Sequence, residues 1–370
     1  MKELKLTYID MNTELFVQSS ERPELVQRLQ NGKAFVIYNK HMSDRFTVSM
    51  LHESEHTDMI SDVQFSQDGK FIAATYSGTV VIYDLGTGEK VTSFRHDCDP
   101  YDSIDVVAVS FTPDAEHLLC ALSTGKVTIW NVKSGADWTE DLGLGRGGLS
   151  MFSRDGSILV WSAPGLIRVF DCEVGSGSMI RLRTVIREAD RTETVTISAD
   201  NKFLACVLAS TDTIIRFWST ETGTRIDNIP TDGTIFSLAF STVGNKLVTQ
   251  EGLATITLRD LPDRASSQHW SKIPVHSFRE SERDYRNWKP VWSCDDKWIL
   301  SGSDYGSITL WSVDGDPQFI MWAHDTKIGM ISVGKGHSDN VGYCKVRTPL
   351  RAGGLVATWL GCQLRVWKYV

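Results

Sequence analysis

The chain has 370 residues, of which 41% are hydrophobic and 23% charged, with a formal net charge of -8. That acidic balance excludes a protein whose main task is to neutralise nucleic-acid phosphates, which needs a basic face. No stretch approaches the ~18 consecutive apolar residues of a membrane helix, and the first ten residues lack the apolar core of a secretory signal. The seven cysteines are an odd, scattered set without a C-x-x-C pair. Cys120, Cys206 and Cys362 fall in or at the ends of predicted strands, so they read as reduced thiols of a nuclear or cytoplasmic protein rather than as disulfides or zinc ligands.

Residues 1–33 are polar and weakly periodic, and read as a strap over the edge of the domain formed by residues 34–370. Within them, residues 24–29 behind Pro23 have the makings of a short helix. Two strand candidates come next, at residues 34–38 and 46–51. From there the chain repeats one phrase, clearest at residues 301–311. There Gly306 supplies the positive φ of a tight turn, Ile308 and Leu310 alternate with polar neighbours at a period of two, and Trp311 closes the strand. The closing mark recurs as Tyr83, Trp130, Phe170, Trp218, Arg259, Trp311 and Trp367, in steps of 47, 40, 48, 41, 52 and 56 residues.

Ahead of six of these marks lies an apolar strand pair around a turn, at residues 63–73, 109–115, 151–157, 195–201, 238–244 and 291–296. Asp-Gly and Asp-Asn at several of the turns tolerate the left-handed backbone a hairpin needs. The seventh unit is the poorest. Its first strand is read at residues 329–333, followed by a polar insertion over 334–354. The chain stops just after the last mark, so the last unit lacks an outer strand, and residues 46–51 are placed to supply it and close a ring.

A period of roughly 40–45 residues with an aromatic-Asp dipeptide at a strand end resembles WD-repeat propeller blades. The resemblance covers residues 34–370 and implies an all-β fold, a single seven-bladed β-propeller closed by an N-terminal strand in its last blade. Within that family the layout is similar to the C-terminal propeller of fungal Tup-type transcriptional corepressors. Three local features carry this: the Tyr38-Asn39 strand followed by residues 46–51 and His56, the entry to the second blade at 105–113, and an ending at residues 365–369. The chain departs from the family pattern as well. His56 and His324 alone hold the expected pre-blade histidine position, Arg259 replaces the Trp of the fifth repeat, and no coiled-coil segment precedes the propeller in this sequence.

Motifs of chemistry give little. Residues 143–148 match G-x-G-x-x-G, but a turn precedes them and a strand comes after, so they read as a blade-connecting loop and not a phosphate cradle. The nine histidines show no metal-ligand spacing, and no G-x-S-x-G elbow is present. The expectation is a protein without catalytic residues, cofactor or metal.

Geometry gives more. In a WD-repeat blade three positions face the top of the ring. Two lie four and two residues ahead of the first strand's apolar core, and the third lies at the end of the second strand. Counting them out places Tyr76, Phe236, Trp288 and Trp359 there with Met59, a cluster of apolar groups of the sort that marks interfaces. Arg146, Arg191, Arg286 and Lys327 form a basic arc, with Asp105, Glu193 and Glu251 spread more widely. The resulting expectation is a protein-interaction platform binding peptide or protein partners, with DNA-bound repressors or chromatin proteins implied by the Tup resemblance. Two other readings stay open: an adaptor or substrate receptor in another cytosolic or nuclear complex, and, third, a propeller enzyme. If the aromatics turn inward, they only plug the channel.

Overall fold

The computed structural model describes residues 26–29, 34–38, 48–96, 105–144, 149–174, 179–242, 244–252, 255–261, 275–279, 290–293, 296–302, 307–314, 317–322, 345–347, 355–360 and 362–369. Every regular element among them is a β-strand. The strands form seven antiparallel sheets, six of four strands and one of six, in the order of a seven-bladed propeller. Blades one to five run from Asp62–Phe65 to Lys90–Arg95, Val106–Phe111 to Asp137–Asp141, Leu149–Phe152 to Met179–Arg187, Thr192–Ile197 to Arg225–Pro230, and Ile235–Phe240 to Val275–Arg279. Blade six starts at Val291–Trp292, and the inner strands of blade seven are Lys345–Arg347, Leu355–Leu360 and Gln363–Tyr369.

The outer strand of blade seven is Val48–Glu55, paired antiparallel with Gln363–Tyr369 from Val48↔Tyr369 to Glu55↔Gln363. The N-terminal strand therefore closes the ring and covers an edge that would otherwise stay open. Glu53 and Arg365 face one another in this ladder. The Arg365 side chain is 2% exposed and donates to Glu53 Oε1 from Nε at 2.9 Å and Nη2 at 2.8 Å. Where a short helix is expected over residues 24–29, the described part, Val26–Leu29, is a strand. Val26–Leu29 pairs with Ala34–Tyr38, which in turn pairs with the outer strand of blade six, Pro317–Trp322. One helical turn has a costly nucleus and no partner face, whereas the open sheet edge offers a full ladder. Val36 and Val48 then share one apolar cluster with Leu310, Val356 and Trp367, stitching blades six and seven together.

The inner hairpins repeat one device six times. A buried Ser or Thr ends the first strand at 66, 112, 153, 198, 241 and 293. Its hydroxyl accepts the backbone N–H five residues on, at 2.9–3.1 Å. Its carbonyl accepts the N–H three residues on, from a residue with φ between 55° and 75°: Gly69, Ala115, Gly156, Asn201, Gly244 or Asp296. Neighbouring turns also touch. Asn201 Nδ2 donates to both carboxylate oxygens of Asp155 and to Ser157 Oγ, and Thr242 N donates to Asp296 Oδ1 at 2.7 Å. At Gly223, φ is +68° and a Cβ would meet Thr184 Oγ1 of the preceding blade at 2.6 Å, so that turn requires glycine twice over.

The closing marks lie in the gaps between blades. Trp130 packs on Val80, Ile82 and Phe94, Trp218 on Val160 and Val169, and Trp311 on Val248 and Leu258, each on the preceding blade. Trp311 Nε1 donates to Ser301 Oγ and Trp367 Nε1 to Thr358 Oγ1, both at 3.0 Å. The ladder register puts Ala74, Cys120, Trp161, Cys206 and Thr249 at the same place in blades one to five. Blades one to four thus replace that hydroxyl with Ala, a thiol or a ring. Burial pushes the Cys206 thiol up to about 12 and raises that of Cys120, so both stay protonated and act as small apolar groups. The pre-blade histidine is also commoner than its spacing indicates. His96 N bonds Gly78 O and its ring sits edge-on to Trp130 at 5.5 Å, as His56 sits edge-on to Tyr83 at 5.9 Å. An insertion between His96 and the second blade hides the correspondence.

Blade five solves its missing Trp differently. Arg259 is 3% exposed, and its Nη1 donates to Thr249 Oγ1 at 2.7 Å, the hydroxyl that would otherwise meet an indole. Glu251 pairs with the same guanidinium and accepts from Thr249 Oγ1 at 2.6 Å. Charge is tolerated there because both partners are buried together.

These contacts set two stability outcomes. Glu251→Ala strips the carboxylate from a buried guanidinium and is expected to cost about 3–5 kcal/mol. Arg259→Trp combined with Glu251→Leu is expected to recover most of that loss in chemical denaturation, and a double variant as unstable as the single would contradict this account. At the inner turns, Asn201→Gly loses the bonds to Asp155 and Ser157 but keeps the left-handed backbone easy, while Asn201→Ala loses both. The alanine variant should be the less stable by about 1 kcal/mol in the same measurement.

Candidate partner-binding face

The top of the ring carries the turns between second and third strands and the loops that lead into each first strand. In blades two, four and five a β-bulge interrupts the first strand just inside that face. The register steps from Val106↔Leu122 to Ala108↔Ala121, from Thr192↔Leu208 to Thr194↔Val207, and from Ile235↔Glu251 to Ser237↔Gln250. Val107, Glu193 and Phe236 are the residues left out of the ladder. A bulge frees a side chain from the strand's alternation and re-aims it. The residue two before each is fixed in the same way. The carbonyls of Asp105, Arg191 and Thr234 accept N–H bonds from Ser123, Ala209 and Gly252 in the adjoining turn, at 2.8, 2.9 and 2.7 Å.

The individual side chains then differ. Met59 is 43% exposed, Asp105 is exposed, and Tyr76 and Phe236 are half-buried. Next to Met59, Asp58 takes Ser77 Oγ at 2.5 Å, which ties the entry loop of blade one to its second turn. Tyr76 meets the buried His56 ring at 4.9 Å in a tilted contact, so part of its ring is already in use. Arg191 and Glu193 are exposed and joined to each other as an ion pair. Glu251 is 7% exposed and held by Arg259, so it is turned into the blade and its carboxylate does not face a partner. Trp359 lies in the strand Leu355–Leu360, next to the turn into the last strand.

Arg146, Arg286, Trp288 and Lys327 lie outside the described residues. The count that gives Lys327 starts from a first strand at 329–333, and the strand that fills that place in blade seven is Lys345–Arg347, paired with Ala357–Trp359. The count therefore starts from the wrong segment, and residues 329–333 also lie outside the described residues. Sequence reading misses the bulges themselves. Their signal is a single extra residue ahead of the apolar core of the first strand, which a period-two pattern absorbs without trace.

Comparison with known proteins agrees with this architecture. The family described as "WD domain, G-beta repeat" matches residues 48–84 and 275–312. The general transcriptional corepressor tupA of Dictyostelium discoideum is 26% identical over 28% of this chain, and protein tipD of the same organism is 24% identical over 69% of it. Those matches span 19% and 40% of the two relatives' own lengths. The transcriptional repressor rco-1 of Neurospora crassa is 35% identical over 15% of the chain. The solved Cps50 (Swd1) β-propeller domain of Myceliophteria thermophila superposes with a TM-score of 0.64 over 85% of this chain and 97% of that domain, at 14% identity, a likeness of fold. The chain is thus a seven-bladed β-propeller that matches the WD-repeat family over residues 48–84 and 275–312.

Proposed function

We propose that this propeller is a non-catalytic platform that holds peptide or protein partners on its top face. The observation that carries the reading is the set of three bulges at equivalent places in blades two, four and five, which take Val107, Glu193 and Phe236 out of the ladder at one end of the ring. Bulges are over-represented where a side chain is re-aimed beside a functional site, and three of them at one end of the ring fit a shared binding surface. Met59 adds an exposed apolar anchor on the same face, and Asp105 and the Arg191–Glu193 pair supply a polar rim.

Similarity to tupA and rco-1 supports a transcriptional corepressor propeller in the nucleus, recruited by DNA-bound repressors or chromatin proteins. A match over 69% of the chain is to protein tipD, whose name carries no repressor function, which keeps an adaptor in another cytosolic or nuclear complex as the second reading.

Affinity capture with the full chain tests the face, and a tethered reporter assay separates the two contexts. Met59→Lys combined with Phe236→Ala should reduce the captured partners by more than about tenfold, since a hot-spot side chain contributes about 2 kcal/mol. Val91→Lys on the outer rim should leave capture unchanged, with both variants folded by circular dichroism. Loss with the rim variant alone would move the interface to the side of the ring. Repression by the tethered propeller supports the corepressor reading, and its absence favours the adaptor.

A further inference from the structure

The strand that closes the ring also brings two histidines into the protein. His52 and His56 are 7% and 8% exposed, one within Val48–Glu55 and the other at its exit. Both rings lie against blade one. His52 is 4.5 Å from the Tyr83 ring, and His56 is 4.9 Å from Tyr76 and 5.9 Å from Tyr83. His56 Nε2 meets Ser54 Oγ at 3.2 Å, and His52 Nε2 has no hydrogen-bond partner.

A backbone hydrogen bond at Gly88 and the Glu53 carboxylate favour a proton on His52, but less than its burial opposes one. On the same strand, the Glu53 carboxylate takes the Arg365 guanidinium, and Glu55 is exposed. From blade one come the Tyr76 and Tyr83 phenols, and Asp58, which accepts from Ser77 Oγ and Met59 N. From blade seven come Arg365 itself, a cation, and Cys362, whose carbonyl accepts His56 N at 2.9 Å. Among the described residues neither imidazole is ion-paired to a carboxylate.

We propose that residues 48–56 form an acid-sensitive latch: protonation of His52 and His56 releases the closing strand from blade seven and opens the ring while the other blades stay folded. Burial is the main cause that holds both imidazoles below their ordinary value, His56 at about 4, with the neighbouring His52 adding to the effect. The sign comes from linkage. A histidine that titrates lower when the strand is docked binds its proton more readily once the strand has left. Closure is therefore at full strength above about pH 6.5 and weakens as pH falls toward about 4, by up to about tenfold per pH unit for His56. Release is local because the strand is held by one ladder, one ion pair and the apolar contacts of Val48 and Met50, while the inner hairpins carry no such histidine pair.

Hydrogen–deuterium exchange on the full chain at pH 7.5 and 5.0, corrected for intrinsic rates, reads this directly. Peptides over 48–56 and 363–369 should lose about tenfold or more of their protection at pH 5.0, while peptides over 106–141 and 149–187 keep theirs. His52→Phe combined with His56→Phe keeps the ring contacts without a titrating nitrogen and should retain protection at pH 5.0. His52→Gln with His56→Gln serves if the first pair does not fold. Equal protection of the closing strand at both pH values, loss spread evenly over all blades, or acid loss that persists in the variants would each overturn the latch.

Discussion

One ladder holds the two ends of this chain together, and the ring depends on it. Blades pack face to face, so each buries its apolar surface only while both neighbours are present, and a propeller is complete only when its last gap is filled. Here that gap is filled by Val48–Glu55 against Gln363–Tyr369, residues more than three hundred positions apart along the chain. The pairing is reinforced at three levels: backbone hydrogen bonds, a deeply set Arg365 neutralised by Glu53, and Val48 and Met50 packed with Trp367. The preceding hairpin, Val26–Leu29 with Ala34–Tyr38, is hydrogen-bonded to blade six, so the N-terminal segment crosses the joint from one blade to the next. Closing so long a loop costs more conformational entropy than closing the hairpins within a blade.

Around the ring, two kinds of repetition behave differently. In the six inner turns among the described residues the hydrogen bonding is nearly invariant, because at each a buried Ser or Thr hydroxyl satisfies a buried N–H. The polar set around the closing mark drifts. Ser301 and Thr358 still meet an indole, Cys120 and Cys206 stand in for the hydroxyl, and Arg259 stands in for the indole. Burial between blades is what that site needs, and several chemistries provide it. A charged side chain there brings its counter-ion with it, which is why Glu251 belongs to the core and not to the surface.

The same distinction explains what can be read from the residues alone. Blade number, hairpin positions and the closing strand are legible because each rests on a period or on a mark repeated seven times. Residues 24–29 mislead because Val26 and Leu29 stand three apart, a helical spacing, and a pattern this short does not say whether a sheet edge is waiting for it. The first strand of blade seven is misplaced because Lys345–Arg347 is short and polar, so the more apolar residues 329–333 outcompete it on pattern. His96 escapes notice because an insertion changes its distance from the strand it serves. For the candidate face, the count locates the bulged positions Glu193 and Phe236 but cannot show that they leave the ladder.

That departure bears on how a partner surface arises on a symmetric scaffold. Seven near-equivalent blades offer seven near-equivalent positions, and a partner without sevenfold symmetry must be met by a subset of them. Among the described residues, blades two, four and five carry a bulge at that end of the first strand, beside the exposed Met59 of blade one, and the inner turns at the opposite end of those strands keep their hydrogen bonds. The two ends of those strands are thereby separated in role. One end is held by a buried hydroxyl and a fixed left-handed residue, while the other carries an extra residue outside the ladder's alternation, of which Val107 still packs on the core and Glu193 is exposed. A substitution at Glu193 or Phe236 would therefore change the face at one end of the strand and leave the hydrogen bonds of the turn at the other end in place.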